Sequence, residues 1–426
     1  MRYIEVKKSG ELKGEIVVPG AKNSSLSLLT AACLSDDTVI INNVPNISDI
    51  DILCDISQDI GVNIKRYNNT VEINPRNITS STINNEKAEA YRASYYFVGA
   101  LLAKKKRVII GYPGGDNFGC RPIDQHIKGL EALGAKFHFE KDHYVVEADN
   151  LVGNEVYFDV ITSGATLNVM MAAVLAKGKT ILKNAARDPE VVDLAIFLNR
   201  MGAQVKGAGT NKIVITGVEK LSGCTHSVIP DRIIAGSLLM ASGMNGGHIT
   251  LKNVIPEHLL PCNEKLKECG LIIEEGEDYV KAISNGKVSS LDVTTGMYPA
   301  FATDLQQPLT ALLTKAHNHS VITEKVYPNR FKHCLELNKM GADIILRDGK
   351  AIIPGRKILK GAWVEASDVR AGICLILAGL SAKGTTYITG VEHIERGYEN
   401  IVDVFKSIGA DIKICEEEDL ENRIMM

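Results

Sequence analysis

Six times along the chain an amphipathic stretch runs into Gly or Gly-Ala and then into a β-like segment: SQDIGVNIKR, LEALGAKFHF, LNRMGAQVKG, LKECGLIIEE, LNKMGADIIL and FKSIGADIKI. The pivots are Gly61, Gly134, Gly202, Gly270, Gly341 and Gly409, spaced 68 to 73 residues apart. A fixed period over a whole chain is an internal repeat. At each pivot the pattern predicts a helix stop, because Gly takes the left-handed conformation past a last helical turn without a Cβ penalty and lets the chain reverse into a strand.

Upstream of each pivot lies a stretch of small and apolar residues followed by a β-branched run, such as KNSSLSLLTAACL then TVIINNV, and GATLNVMMAAVLA then KTILKN. The repeating unit reads small-residue helix, strand, turn, polar-faced helix, Gly, strand, strand. Helices apolar almost all round belong in an interior, so three units are expected to share one core, with the small-residue helices inside and the sheets and remaining helices outside. With 426 residues a single core would be too large, and two domains of three units each are predicted. The seams fall near Gly20 and Pro230: a first domain over 21–229, a second over 1–20 plus 230–426. The opening segment RYIEVKKSGELKGEIVVPG has no small-residue helix before it, and the last unit has no closing strand of its own. An opening strand that completes the C-terminal domain accounts for both.

Charged residues make up 23% and the formal net charge is -3, which argues against a general nucleic-acid or membrane surface. No N-terminal apolar h-region and no long uncharged apolar segment is present, so no membrane partner is expected. Nine cysteines show no CxxC and no framework spacing, the usage of a reducing, cytoplasmic compartment. The run Lys104 to Arg107 reads as a solvated turn.

Residues 111–135, GYPGGDNFGCRPIDQHIKGLEALGA, form a Gly-rich excursion between a strand and a helix. Composition alone predicts a disordered surface loop. The charges point instead to a lid over about 111–122: Asp116 rides the loop, and Arg121-Pro122 is placed to open the following helix, with Pro suited to the first helical position and Arg beside exposed N–H groups that attract anions. Lys22, Arg92, Arg232 and Arg370 fall at the starts of small-residue helices, and Asp304 at the start of TDLQQPLTALL. Each taken singly reads as a surface charge, and Asp304 as a cap. Cations repeated at helix N-termini oppose the macrodipole and call for a compensating anion, usually a ligand. Arg330 and Arg396 precede outer helices and add donors for phosphate or carboxylate. The sum is a chain built to hold a substrate with several negative charges between two domains.

PGAKNSSLSLL, YRAS, PGGDNFGCRPIDQHIKGLEALGA, NAARDPEVVDLAIFL, YPAFATDLQ, NRFKH, DVRAG and HIERGYENI resemble the signature segments of the UDP-N-acetylglucosamine 1-carboxyvinyltransferases, or enolpyruvyl transferases, over nearly the whole chain. The resemblance implies an α/β fold of two inside-out barrel domains built from six βαβαββ-type repeats, closing on substrate. It implies transfer of the enolpyruvyl group of phosphoenolpyruvate to the 3′-hydroxyl of UDP-N-acetylglucosamine, releasing phosphate, with no metal or redox cofactor. By the same resemblance Lys22 and Asn23 contact phosphoenolpyruvate, assisted by Arg121, Arg330, Arg370 and Arg396. Arg92, the run Arg121, Pro122, Ile123, Asp124 and Gln125, Asp304 and Val326 match positions that bind the sugar nucleotide, and Thr162, Ser163 and Gly164 join the substrate-binding set. Asp304 is the candidate base or hydroxyl-orienting group and Asp116 the candidate acid, with Lys22 and Arg396 also in the catalytic set.

Two departures from the family pattern stand out. Asp116 occupies the lid position that most relatives fill with Cys, which predicts activity without a thiol and resistance to thiol-alkylating epoxides such as fosfomycin. Val160, in VITSGAT, replaces a Lys that in relatives helps hold the nucleotide phosphates. Three alternatives stay open at this point: an enolpyruvyl transferase with another acceptor such as shikimate 3-phosphate, a non-catalytic sugar-nucleotide sensor, and a structural repeat protein.

Overall fold

The computed structural model describes residues 2–114, 122–355 and 358–416. The described residues divide into two compact units, one holding 2–19 and those from 230 onward, the other 20–114 and 122–229. Each unit contains three small-residue helices and three four-stranded mixed sheets.

One repeat serves for all. Glu155–Tyr157 enters, the apolar helix Ser163–Ala173 follows, and Lys179–Lys183 returns parallel to the first strand. The amphipathic helix Pro189–Arg200 then runs to Met201 and Gly202, and Gln204–Lys206 and Lys212–Thr216 close the sheet as an antiparallel pair. All six pivot glycines have φ between +90° and +104°, the left-handed region that favours glycine. The entering strands are only two to six residues long, too short to leave a period-2 signal of their own.

In the unit 20–229 the small-residue helices Lys22–Ala31, Tyr96–Lys105 and Ser163–Ala173 pack within one apolar core. In the other, Arg232–Asn245, Thr303–Leu313 and Val369–Ser381 do the same. Every residue from Ile233 to Met244 and from Val369 to Leu380 is buried, as interior helices require. The sheets lie outside these helices and bury one face, with alternating buried and half-exposed residues such as those of Lys179–Lys183 and Lys212–Thr216. No sheet exceeds four strands, so among the described residues each outer wall is three separate sheets, not one closed barrel.

The opening segment is two strands, not one. Arg2–Lys7 inserts antiparallel between Thr385–Thr389 and Ile412–Glu416, supplying the closing strand that the sixth repeat lacks. Leu12–Val17 pairs parallel with Gly247–Lys252 and is the entering strand of the fourth repeat. Thr225–Ser227 plays that part for the first repeat, parallel to Val39–Asn42.

Close helix packing makes one glycine indispensable. A Cβ on Gly99 would lie 2.2 Å from the Asn168 carbonyl oxygen and 2.3 Å from its Oδ1, on the neighbouring small-residue helix. Gly99→Ala is therefore expected to lower stability by about 1–3 kcal/mol through overpacking. Gly10→Ala, with nothing within 4 Å of the added methyl, should change it by less than about 0.5 kcal/mol. Urea midpoints of the two variants check the contrast.

Candidate functional site

In the unit containing residues 230–416 the helix Thr303–Leu313 begins after Ala302, which offers no side-chain cap. Asp304 sits in its first turn, where the helix dipole favours a carboxylate, yet it does not cap the helix. Its Oδ1 accepts from Arg330 Nη1 at 2.6 Å and its Oδ2 lies 3.5 Å from Arg370 Nη2. Both arginine side chains are only 5% exposed, whereas that of Asp304 is 27% exposed. Burial works against the charge of Arg330, but Asp304 and Asp368 more than offset it and raise its pKa. Burial is likewise the largest influence on Arg370, and Tyr398, Asp304 and Asp231 overturn it in favour of the charged form. These arginines are permanent cations.

Asp368 was not singled out by the sequence, yet it organises the cluster. It caps Val369–Ser381 by accepting from the backbone N–H groups of Arg370 at 2.8 Å and Ala371 at 3.2 Å, takes Gln307 Nε2 at 3.2 Å and lies 4.0 Å from Arg330 Nη2. Glu324, 2% exposed, is the second unforeseen residue. Its carboxylate accepts from the hydroxyls of Thr295 at 2.7 Å and Thr303 at 2.9 Å and from the N–H groups of Val326 at 2.7 Å and Tyr327 at 3.0 Å, which ties Val326 to the start of the helix that carries Asp304. Arg370 Nη1 donates to the Tyr398 hydroxyl at 3.2 Å. Arg396, half-buried, stands two residues before that tyrosine at the end of Val391–Glu395. Arg232 opens its helix behind the Asp231 cap, with its guanidinium 5.1 Å from the Tyr298 ring centre.

In the unit 20–229 Lys22 is the first residue of its helix and its ammonium pairs with the buried carboxylate of Asp49; Asn23 beside it is exposed. A second group of site residues gathers around His126. Thr162 caps Ser163–Ala173, Ser163 Oγ donates to Asp188 at 2.9 Å, and a Cβ on Gly164 would lie 3.2 Å from His126 Nε2. The buried Gln125 accepts the Asp159 N–H at 2.8 Å and donates to the Asp124 carboxylate at 2.7 Å. The His126 ring stands edge-on to Tyr95 at 4.5 Å, three residues after the half-buried Arg92 that opens the turn Arg92–Tyr95. Asn168 donates from Nδ2 to the Tyr95 carbonyl at 3.0 Å and lies 3.2 Å from His126 Nδ1, so Nδ1 is the acceptor and Nε2 carries the proton. Burial, reinforced by the Arg92 charge, pushes His126 down to about 3. It is a neutral N–H donor aimed at the start of the Ser163 helix.

Several expectations need correcting. Pro122 is exposed and lies outside the helix, which begins at Asp124 after Ile123, because the backbone turns helical two residues later than the Pro signal suggests. Two of the cations at helix starts meet carboxylates of the protein itself, Lys22 with Asp49 and Arg370 with Asp304. The run Lys104 to Arg107 is not merely solvated: Lys104 pairs with Asp36, and Lys105 donates to the Ile78 carbonyl at 2.7 Å. Val160 is 63% exposed, and its neighbour Asp159 pairs with Lys128 at 2.7 Å. Asp116 and Arg121 lie outside the described residues. Among the described residues no group of three or more His, Cys, Asp and Glu side chains could hold a metal ion, and no helix is long and apolar enough to cross a membrane.

His333, in the arginine cluster's unit, parallels His126: burial dominates, Asp368 and Arg330 act in opposite senses, and the result is a pKa near 3. A histidine depressed in the fold protonates only in the unfolded chain as pH falls below about 6.5, so stability present above that pH is lost progressively down to about 3. Each such histidine should cost about 2 kcal/mol between pH 7 and pH 5. His333→Gln is expected to lose roughly that much less than the unaltered protein over this interval, as read from denaturant unfolding at the two pH values.

The chain matches the family described as EPSP synthase (3-phosphoshikimate 1-carboxyvinyltransferase) over residues 6–405. It is 48% identical to UDP-N-acetylglucosamine 1-carboxyvinyltransferase 2 of Geobacillus kaustophilus, covering 96% of each chain, and 47% identical to the protein of that name in Bacillus cereus, covering 97% of this chain and 96% of the other. Among solved structures it superposes on the enolpyruvyl transferase NikO from Streptomyces tendae with a TM-score of 0.88 at 22% identity, covering 97% of this chain and 98% of that one. EPSP synthase from Acinetobacter baumannii follows at 0.75 and 20%, covering 98% and 100%. At these identities the structures speak for the fold, and the relatives for the lineage. This chain belongs to the UDP-N-acetylglucosamine 1-carboxyvinyltransferases within the EPSP synthase family.

Proposed function

We propose that this enzyme transfers the enolpyruvyl group of phosphoenolpyruvate to the 3′-hydroxyl of UDP-N-acetylglucosamine and releases phosphate, the first committed step of peptidoglycan precursor synthesis. Its class follows from its relatives, which are carboxyvinyltransferases over essentially full length. The observation that carries the site assignment is the half-exposed carboxylate of Asp304 in front of the buried Arg330 and Arg370. A reaction between a phosphate-bearing donor and a diphosphate-bearing acceptor needs fixed cations to offset their repulsion and a base beside the hydroxyl.

The chemistry is addition followed by elimination. The acceptor hydroxyl oxygen bonds to C2 of the donor while its proton passes to Asp304 and an acid, assigned to Asp116, gives a proton to C3. In the tetrahedral ketal the C2–O bond to phosphate then breaks, a proton leaves C3, and the enol ether and inorganic phosphate are the products. Lys22, Asn23, Arg121, Arg330, Arg370 and Arg396 are assigned to the donor. Arg92, Pro122, Ile123, Asp124, Gln125, Thr162, Ser163, Gly164 and Val326 are assigned to the acceptor. This division rests on the family resemblance of the segments that carry these residues.

Inorganic phosphate release is the test, with phosphoenolpyruvate and either UDP-N-acetylglucosamine or shikimate 3-phosphate. Release with the sugar nucleotide alone is expected. Release with shikimate 3-phosphate alone would replace the acceptor, and none with either would leave a binding protein without turnover.

A further inference from the structure

The helix that presents Lys22 and Asn23 starts without a side-chain cap, since Ala21 occupies the capping position, and Lys22 places a cation against the positive end of the dipole. Something else must hold this start. The Ala21 N–H donates to the Ile229 carbonyl at 2.7 Å, the Ser24 hydroxyl donates to Asp193 Oδ2, and the Ile229 N–H donates to the same oxygen at 3.4 Å. One carboxylate oxygen therefore gathers both the third residue of the helix and the segment on which the residue before the helix hangs.

The other oxygen is equally committed. His226 Nε2 lies 2.8 Å from Asp193 Oδ1, and Arg200 Nη1 lies 2.9 Å from His226 Nδ1. A guanidinium only donates, so Nδ1 accepts and the ring proton sits on Nε2, facing the carboxylate. Phe197 fixes the ring edge-on at 5.4 Å. Ser24, Asp193 and His226 are 0%, 2% and 3% exposed. A carboxylate this deeply buried is costly unless its lone pairs are satisfied, and here serine, histidine and backbone donors converge on it, with Arg200 relayed through the ring.

We propose that Asp193, oriented by His226 and Arg200, is a positioning residue that fixes Lys22 and Asn23 for the anionic donor. This rests on the enolpyruvyl-transfer reading above. It assigns no contact with substrate to Asp193; it acts through Ser24 and Ile229 on the first turn of the helix.

Steady-state phosphate release, with donor and acceptor varied in turn, tests it on the full chain. Asp193→Asn should raise the KM for phosphoenolpyruvate about tenfold or more, the loss expected when a buried acceptor of several hydrogen bonds is replaced. The KM for UDP-N-acetylglucosamine should stay within about twofold, a difference no larger than ordinary surface effects. Ser24→Ala should move the same constant in the same direction, and the double variant should be no worse than Asp193→Asn, as coupled neighbours require. His226→Gln keeps a donor where Nε2 stood and should retain the donor KM, whereas His226→Leu should resemble Asp193→Asn. Lower melting temperatures with an unmoved donor KM overturn the proposal, as does failure of His226→Gln to outperform His226→Leu. If Asp193→Asn does not fold, Ser24→Ala carries the decision. An unaltered enzyme that releases no phosphate removes the functional reading and this proposal together, while normal turnover with insensitive variants removes the proposal alone.

Discussion

Asp304→Ala should abolish enolpyruvyl transfer, with kcat reduced by about three orders of magnitude or more, the upper part of the range for a positioned proton-transfer group. The expectation has two physical sources. The first is the lost base, since nothing else in the first turn of Thr303–Leu313 offers a carboxylate. The second is the pair of guanidiniums left behind. Arg330 and Arg370 are buried and both pair with Asp304, with Asp368 near the first and Asp231 acting on the second; with Asp304 gone, each loses a paired carboxylate. An uncompensated buried charge costs on the order of 3–5 kcal/mol, so the variant should also melt lower, and millimolar phosphate should restore its melting temperature more than it raises that of the unaltered enzyme. Asp304→Asn keeps the side-chain volume and an oxygen that accepts from Arg330, but it removes the negative charge together with the proton acceptor, so it tests the base without the cavity that Ala leaves. If Asp304→Asn kept more than about a tenth of the normal kcat, far above what loss of a general base allows, Asp304 would not be the base.

The architecture was legible because it is written in a periodic code. Six glycines at near-constant spacing mark six helix stops, and each has the left-handed backbone that the pattern demands. The small-residue helices stand out because their composition is wrong for a surface and right for an interior. The pairing of Arg2–Lys7 with the last repeat could be inferred from a count of strands, since the sixth repeat was one short. What could not be read was contact between distant residues. Asp368 and Glu324 sit in stretches that look like ordinary strand ends and caps, and only the fold brings Gln307 and Arg330 to the first and Thr295 and Thr303 to the second. Nothing in the sequence marks His126, because its neighbour Asn168 lies 42 residues away. The sequence pattern points to a ligand as the counter-charge, yet for Lys22, Arg330 and Arg370 the protein supplies carboxylates of its own, so an incoming anion must compete with Asp49 and Asp304 for them.

Asp116→Ala should eliminate phosphate release with the fold intact, a loss of about 10²–10⁴ in kcat for removal of a general acid, and Asp116→Cys should restore turnover while conferring inactivation by fosfomycin. The two chemistries differ in how the proton becomes available. A thiol with a pKa near 8.5 is mostly protonated at neutral pH, whereas a carboxyl near 3.9 is almost wholly ionised. An aspartic acid can serve only if its pKa rises in the reacting complex, through loss of water around it or through repulsion by the phosphate and carboxylate of the bound donor. The unaltered enzyme should therefore lose kcat with rising pH earlier than Asp116→Cys does, since its acid is the weaker reservoir of protons. Epoxide alkylation has the opposite dependence: it needs a strong nucleophile, and a thiolate is a far better one than a carboxylate. The unaltered enzyme should keep full activity after incubation with fosfomycin, while Asp116→Cys should lose it in proportion to the epoxide bound. An adduct mapped to residue 116 in the unaltered enzyme, or substantial turnover by Asp116→Ala, would show that the acid resides elsewhere and that the Asp-for-Cys exchange does not set the inhibitor response.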